Sequence, residues 1–518
     1  MMAWWTAFLG PVAVRFARQR RWFRPWPDRL SWHDALLAVA LGIGVAVLAG
    51  GWLAPFSVPA SRALGSPDFG EYCALIDLYL EGRLHEWGIN RSRAAGAIAG
   101  LTVPYLGIFD ALLFSAMCSL ALIVAGTYIW ARALHSRSAG VAAAVLVGAV
   151  GPLAAMGRTL TFYPVITAGL TLACAGAAAA ARWRTPFALL LAGLGSGIAL
   201  LVDARGLIWA VPCVGIAALA ALMGPARPGV PRWRGLGWRS LALALPLVWS
   251  FQLGKWAYPP LARTLEGHVG IYQELRERGV TLPPWEHPTG RDSQYRWGRS
   301  DPRHIPWTLL FVADQGRWVP DWYRELPQVK EGWQRTGAPW LAPFLAATIA
   351  ALVGLRRRPW LALVMVGTTL PFMVSLNGAV VMKYGHLRFV ASALPFLPVV
   401  LGVGMGVIAE GSLPKRSRFR GDEPPTRPVA LALLTAILVA CVAGAIPTFL
   451  SPEAPWRMIW HNGEAAFATA LKARDGTSTS ASPTISSCAD GLRKVEGDGT
   501  WVGQLPGGGS EVTPWRSQ

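Results

Sequence analysis

Two short stretches of the chain hold side chains whose types and spacing suit chemistry. SPDFGEYCALIDLYLEGRLHEW carries Asp68, Glu71 and Tyr72 close together, and MKYGHLRF carries Lys383, His386 and Arg388. A carboxylate held in place can accept a proton from a reacting hydroxyl. Clustered cations can neutralise a phosphate, and a helix N-terminus beside them adds partial positive charge. Arg158 is a further candidate cation for a phosphate. Each group also has a plainer reading. Asp68 stands just ahead of a helix-like run and suits an N-cap. Lys383 and Arg388 suit long side chains that reach out to lipid headgroups. The residues alone leave both readings open.

The surrounding elements narrow the setting. The 518 residues are 53% hydrophobic and only 15% charged, whereas a soluble domain is about one-quarter charged. Apolar runs long enough to span a bilayer recur along the chain. We read membrane helices at 34–54, 109–134, 138–157, 160–181, 186–202, 205–223, 238–256, 338–355, 359–377, 387–408 and 429–450. The fold expected is an all-α polytopic membrane protein of about eleven spans. A basic stretch, VRFARQRRWFRPWPDRL, precedes the first span, and no convincing cleavage site follows it, so the first helix is read as uncleaved.

Charge sets the orientation. With residues 1–33 inside, the basic residues at 15–29, 132–137, 182–184, 227–239, 356–358 and 415–427 all fall on the cytoplasmic side. The short outer loops carry far fewer, in keeping with the positive-inside rule. The net charge of +19 then follows from topology, and no nucleic-acid partner is implied. Residues 34–450 form the membrane domain, with outer loops at 55–108 and 257–337, and residues 451–518 form an extracytoplasmic tail, partly flexible.

From Glu71 to Leu84, Tyr72, Leu75, Ile76, Tyr79 and Leu80 recur at helical spacing. They predict an amphipathic helix lying along the membrane plane. In the loop 257–337, Trp333 suits an interfacial belt, while Trp297 and Trp318 are open to a sugar or acceptor cleft. Of the six cysteines, Cys118, Cys174, Cys213 and Cys441 fall within helices as small apolar fillers. Cys73 and Cys488 both fall outside, where pairing is permitted. There is no CxxC, HExxH, P-loop or GxSxG, so zinc, ATP-driven and serine-hydrolase chemistry lack their usual signs.

In this setting the residues resemble a family. The pattern Asp-x-x-x-Tyr, followed by a helix ending LEGRL just outside the first span, is similar to the GT-C superfamily of polytopic glycosyltransferases that use polyprenyl-phosphate sugars. The protein mannosyltransferase-like and aminoarabinose transferase-like groups belong to it. FDALLFSAMCSLALIVAGTYIWARAL followed by HSRSAGVAAAVLVGAVGPLAAMGRTLTFYP resembles its second and third helices. LLAGLGSGIALLVDARGLIWAVP resembles its next hairpin, and GHLRFVASALPFLPVVLG its late helix. The resemblance covers roughly 34–408 and rests on the order and sidedness of the pieces together.

The resemblance implies a base at Asp68, with Glu71 and Tyr72 as its neighbours in the substrate site. It implies a polyprenyl-phosphate-linked sugar donor and an extracytoplasmic glycan, lipid or protein acceptor, among membrane lipids. Arg158, Lys383, His386 and Arg388 are the cations available to the departing phosphate. The resemblance allows a divalent metal ion as cofactor, and the family's carboxylates are sometimes adjacent Asp-Glu. Here Asp68 and Glu71 are spaced apart, and VDARG stands where related sequences more often show a basic-Pro turn. Two other classes stand beside this one. A transporter or flippase of a lipid-linked sugar would line its path with carboxylates, and the spans hold almost none. A non-catalytic scaffold of envelope biogenesis is the other.

Overall fold

The computed structural model describes residues 30–50, 75–76, 78–86, 92–150, 153–154, 156–158, 161–203, 206–223, 232–257, 351, 355, 359–375 and 394–409. Among these, every regular element is helical: α1 Trp32–Gly50, α2 Arg93–Gly100, α3 Val103–Leu134, α4 Arg137–Ala149, α5 Tyr163–Trp183, α6 Pro186–Val202, α7 Leu207–Leu222, α8 Arg232–Ala257, α9 Pro359–Ser375 and α10 Phe396–Ala409, with 3-10 turns at Leu84–Glu86 and Met156–Arg158. The expected span 429–450, the outer loop 257–337 beyond its first residue and the tail lie outside the described residues, as does most of 338–355.

Local chemistry explains where the helices start and stop. Ser31 and Asp34 form a reciprocal capping box at the head of α1: Asp34 N–H donates to Ser31 Oγ at 3.2 Å, and Ser31 N–H donates to Asp34 Oδ2 at 2.9 Å. Ser92, Ser136 and Thr185 cap α2, α4 and α6 through their side-chain oxygens. Prolines sit in the first turns of α3, α5 and α6, where a missing N–H costs nothing. The expected span 138–157 is cut short: α4 ends at Ala149 because Gly151-Pro152 follows, and proline cannot continue a helix.

Side-chain bonds between helix termini show which ends lie together. Arg137 at the head of α4 reaches Asp34 at the head of α1. Arg182 at the foot of α5 reaches the last carbonyls of α3. Arg184 reaches Met223 after α7, and Trp360 at the head of α9 donates to Ala181 of α5 at 3.3 Å. These termini form one end, here the arginine end. At the opposite end, the loop end, Ser92 bonds Leu201 of α6 and Arg93 bonds Trp256 of α8.

α5 lies at the centre, and all of its residues are buried. It packs most closely on α6, and α3, α7 and α9 also contact it. The Ala- and Gly-rich composition of α5 and α6 follows from backbone contact between them. A Cβ on Gly169 would meet Ala199 N at 2.8 Å and Gly195 O at 3.0 Å. Such small-residue interfaces are how helices associate where lipid removes the hydrophobic drive. Gly193 of α6 leaves room for Pro246 inside α8.

The outward faces are apolar. Leu36, Val39, Ile43 and Leu48 of α1 and Leu241, Leu245, Val248 and Trp249 of α8 are all exposed. Apolar faces of this extent suit contact with hydrocarbon and not with water. Two described helical stretches, Ala111–Leu134 and Tyr163–Trp183, are long and apolar enough to cross a membrane, and six shorter apolar helices accompany them. The count of about eleven spans is therefore not reached among the described residues.

Candidate functional site

The candidate base Asp68 and its neighbours Glu71 and Tyr72 lie outside the described residues, as do Lys383, His386 and Arg388. Arg158 is described in its backbone only. It closes the 3-10 turn Met156–Arg158, just past the expected span 138–157 and after the Gly151-Pro152 break in the sequence. The structure does describe the helical segment that follows Asp68 in sequence, from Leu75 on.

Leu75, Ile76 and residues 78–80 are helical, within the amphipathic helix expected over 71–84. Its end is built by Gly82 at φ +71°, with Gly82 N–H donating to Tyr79 O at 3.1 Å and Arg83 N–H to Leu78 O at 2.8 Å. This pair of bonds is a Schellman motif, and only glycine adopts the left-handed position without strain. The LEGRL ending is thus a helix stop. Protein covers part of the apolar face: Leu75 and Ile76 are fully buried, while Leu80 stays exposed.

The cover is α2, a helix that the sequence reading of this loop did not anticipate. Its Gly96 lies on Leu75, where an added Cβ would meet Leu75 O at 2.9 Å and Leu75 Cβ at 3.0 Å, and its Gly100 lies on the ring of Tyr79. Residues four apart on each helix therefore meet residues four apart on the other. Arg93, at the head of α2 and nine-tenths buried, donates to His85 O at 2.8 Å and to Trp256 O at 3.3 Å. One guanidinium ties the first loop to the foot of α8, where a cation also suits the exposed carbonyls of a helix C-terminus. Ser92 Oγ adds a bond to Leu201 O on α6. The signal for α2 was Ser92 before an alanine-glycine run, a capping residue ahead of a small-residue stripe.

At the arginine end the structure gathers polar residues that sequence reasoning had treated only as topology charges, together with Asp34 and Tyr128. Asp34 is buried and accepts from Tyr128 Oη at 3.0 Å and Arg137 Nε at 2.8 Å, with Arg132 Nε 3.6 Å away. Arg182 donates to Arg132 O, Ala133 O and His135 O at 2.8, 3.2 and 2.6 Å, capping the last turn of α3. The Arg132 and Arg182 guanidiniums both lie over Trp183, at 5.7 and 5.4 Å. Arg184 follows in left-handed backbone, φ 54°, and burial, followed by the nearby charge of Arg239, lowers its pKa. A capping-box spacing in SWHD ahead of an apolar run was the sequence sign of Asp34. Among the described residues, no three His, Cys, Asp or Glu side chains gather as a metal site.

Comparison with known proteins adds the following. No family model and no curated protein matches the sequence. Solved structures similar to the chain include an oligosaccharyltransferase of Archaeoglobus fulgidus in the apo form, at 14% identity, covering 93% of this chain and 62% of that one with a TM-score of 0.43. They also include ArnT of Cupriavidus metallidurans bound to undecaprenyl phosphate, at 14% identity, 86% and 71% coverage and a TM-score of 0.41. Archaeoglobus fulgidus AglB in complex with an inhibitory peptide and a dolichol-phosphate matches at 15% identity, 93% and 61% coverage and 0.43. The chain spans about 62% of the length of the first of these. At such identities and scores, the overlays transfer no residue role to this chain.

Proposed function

We propose that the chain is an integral-membrane glycosyltransferase. It moves a sugar from a polyprenyl-phosphate-linked donor to an extracytoplasmic glycan, lipid or protein. The donor carries its own leaving group, so no general acid is needed. Asp68 takes the proton of the acceptor hydroxyl as its oxygen attacks the anomeric carbon, and the configuration inverts. The phosphate departs with added charge, which Arg388, Lys383, His386 and Arg158 are available to neutralise. Glu71 and Tyr72 flank the base. The N-terminus is cytoplasmic and the tail extracytoplasmic on this reading.

The observation that carries this reading is the anchoring of the helix behind Asp68. Leu75 and Ile76 are buried, Gly96 and Gly100 clamp that helix from above, and Arg93 binds the loop to α8. A loop of ordinary solvated charges has no need of such a platform, whereas a base must be held within a fraction of an ångström of its substrate. A donor whose tail is fixed in lipid presents its phosphate at one depth, and the platform holds the loop at one end of the bundle. Against a transport path, the buried acid of the described helices, Asp34, is tied by Arg137, Tyr128 and Ser31.

The test is a membrane assay with radiolabelled polyprenyl-phosphate sugars, which separates sugar transfer, movement of the lipid alone, and neither. Asp68→Asn keeps a helix-capping side chain and removes the basic carboxylate, so turnover should fall by about 10²–10⁴-fold in a folded variant. Glu71→Gln should do less. Normal turnover by Asp68→Asn with a competent donor rules out Asp68 as the base.

A further inference from the structure

Within the bundle, four helices bring polar side chains to one seam. Trp130 of α3 donates Nε1–H to Thr368 Oγ1 of α9 at 3.1 Å. Cys174 of α5 donates its S–H to Thr368 O at 3.7 Å, and its sulfur lies 3.5 Å from that of Cys213 on α7. Both cysteines are fully buried. Sequence reading made them separate apolar fillers, but the fold sets them against each other.

We propose that Cys174 and Cys213 are an oxidation site, a thiol pair that converts to a disulfide joining α5 to α7. Two S–H bonds break and one S–S bond forms. Both electrons and both protons pass to dioxygen, which leaves as hydrogen peroxide. Dioxygen is the fitting oxidant because it is small and apolar, and so can enter a dry site that charged or bulky oxidants cannot. A disulfide is about 2.05 Å long, so the sulfurs need to close by about 1.5 Å. The two sulfurs are already at contact distance, which is the first geometric condition for a bridge.

Oxidation has a defined consequence. Cys174 loses the S–H that it gives to Thr368 O, so α9 loses one tie to α5 while α7 gains one. α9 is the helix whose sequence runs on into the stretch carrying Lys383, His386 and Arg388. The inference itself does not depend on the glycosyltransferase reading, since it rests only on the described seam. The third described cysteine, Cys118 of α3, is exposed and serves as an internal control.

The experiment uses the full chain in lipid nanodiscs incubated under dioxygen, with no metal catalyst added. After denaturation without reductant, remaining thiols are alkylated and the peptides read by mass spectrometry. The expected product is a peptide linking Cys174 to Cys213, two hydrogens lighter than its parts and reversed by reductant. In Cys174→Ser, Cys213 should stay alkylatable. Thiols at both positions that survive treatment unchanged overturn the proposal. So does linkage of Cys174 to Cys118 or Cys441 as often as to Cys213.

Discussion

Replacing Asp34 by Asn should destabilise the helix bundle more than any other single change at the arginine end. The carboxylate serves two sets of donors at once. Oδ1 takes Tyr128 and Arg137, with Arg132 beyond them, and Oδ2 takes Ser31 N–H at 2.9 Å and Ser31 Oγ at 2.8 Å. An amide has only one acceptor oxygen. Whichever way it turns, an NH₂ group faces donors, and the buried Arg132 guanidinium loses its counter-charge. Breaking a buried pair from one side costs about 3–5 kcal/mol, or two to four powers of ten in the folding equilibrium. Arg137→Gln is the control. Its side chain is 50% exposed, so water replaces the lost bond and the cost is at most about 1 kcal/mol. The assay is reversible unfolding of the purified chain by SDS in mixed micelles, followed by circular dichroism. A double-mutant cycle with Arg132→Met should show coupling, since the partners share one cluster. A cost for Asp34→Asn no larger than that for Arg137→Gln, or strict additivity with Arg132→Met, refutes the reasoning.

Three further outcomes are expected. Gly96→Leu should push the helix behind Asp68 off α2, since even a Cβ there meets Leu75 O at 2.9 Å. Overpacking of this kind costs about 1–3 kcal/mol, and turnover in the membrane assay should fall while Gly44→Leu, where the space is open, leaves it unchanged. Arg388→Ala should weaken binding of the polyprenyl-phosphate donor tenfold or more, because a charge-assisted contact contributes about 1.5–3 kcal/mol; unchanged affinity in a folded variant points to a headgroup role. Reporter fusions after Arg234 and after Trp456 should report opposite sides of the membrane, and the same side for both sinks the proposed topology.

Helix content was the most legible part of the chain, and the reason is period and length. The span expected at 186–202 coincides with α6, and 359–377 and 205–223 lie within two residues of α9 and α7. Errors came where a local signal outweighed hydropathy. Gly151-Pro152 stops α4 early, and Pro104 lets α3 begin at Val103 instead of residue 109. α2 was missed because an eight-residue alanine-glycine helix has no apolar face long enough to register. What hydropathy cannot carry at all is pairing between helices. Cys174 and Cys213 read as unrelated fillers, Arg137 reads as a topology charge, and nothing in hydropathy joins it to Asp34 or Tyr128.

The two ends of the bundle are held by different physics, and the difference bears on function. At the arginine end, the cations that fix orientation also close helix termini: Arg182 takes three carbonyls at the end of α3, and Arg137 takes Asp34. Bonds of this kind are directional and strong once buried, so that end tolerates little movement. At the loop end, the first outer loop is seated mainly by the fit of Gly96 and Gly100 on Leu75 and Tyr79, with Arg93 and Ser92 as its polar ties. Close backbone contact leaves the loop little room to slide, and the buried Arg93 and Ser92 add directional bonds to α8 and α6. A base that must meet its substrate within a fraction of an ångström needs both kinds of hold. On the proposed reading the chemistry at Asp68 draws on a loop fixed by fit as well as by hydrogen bonds.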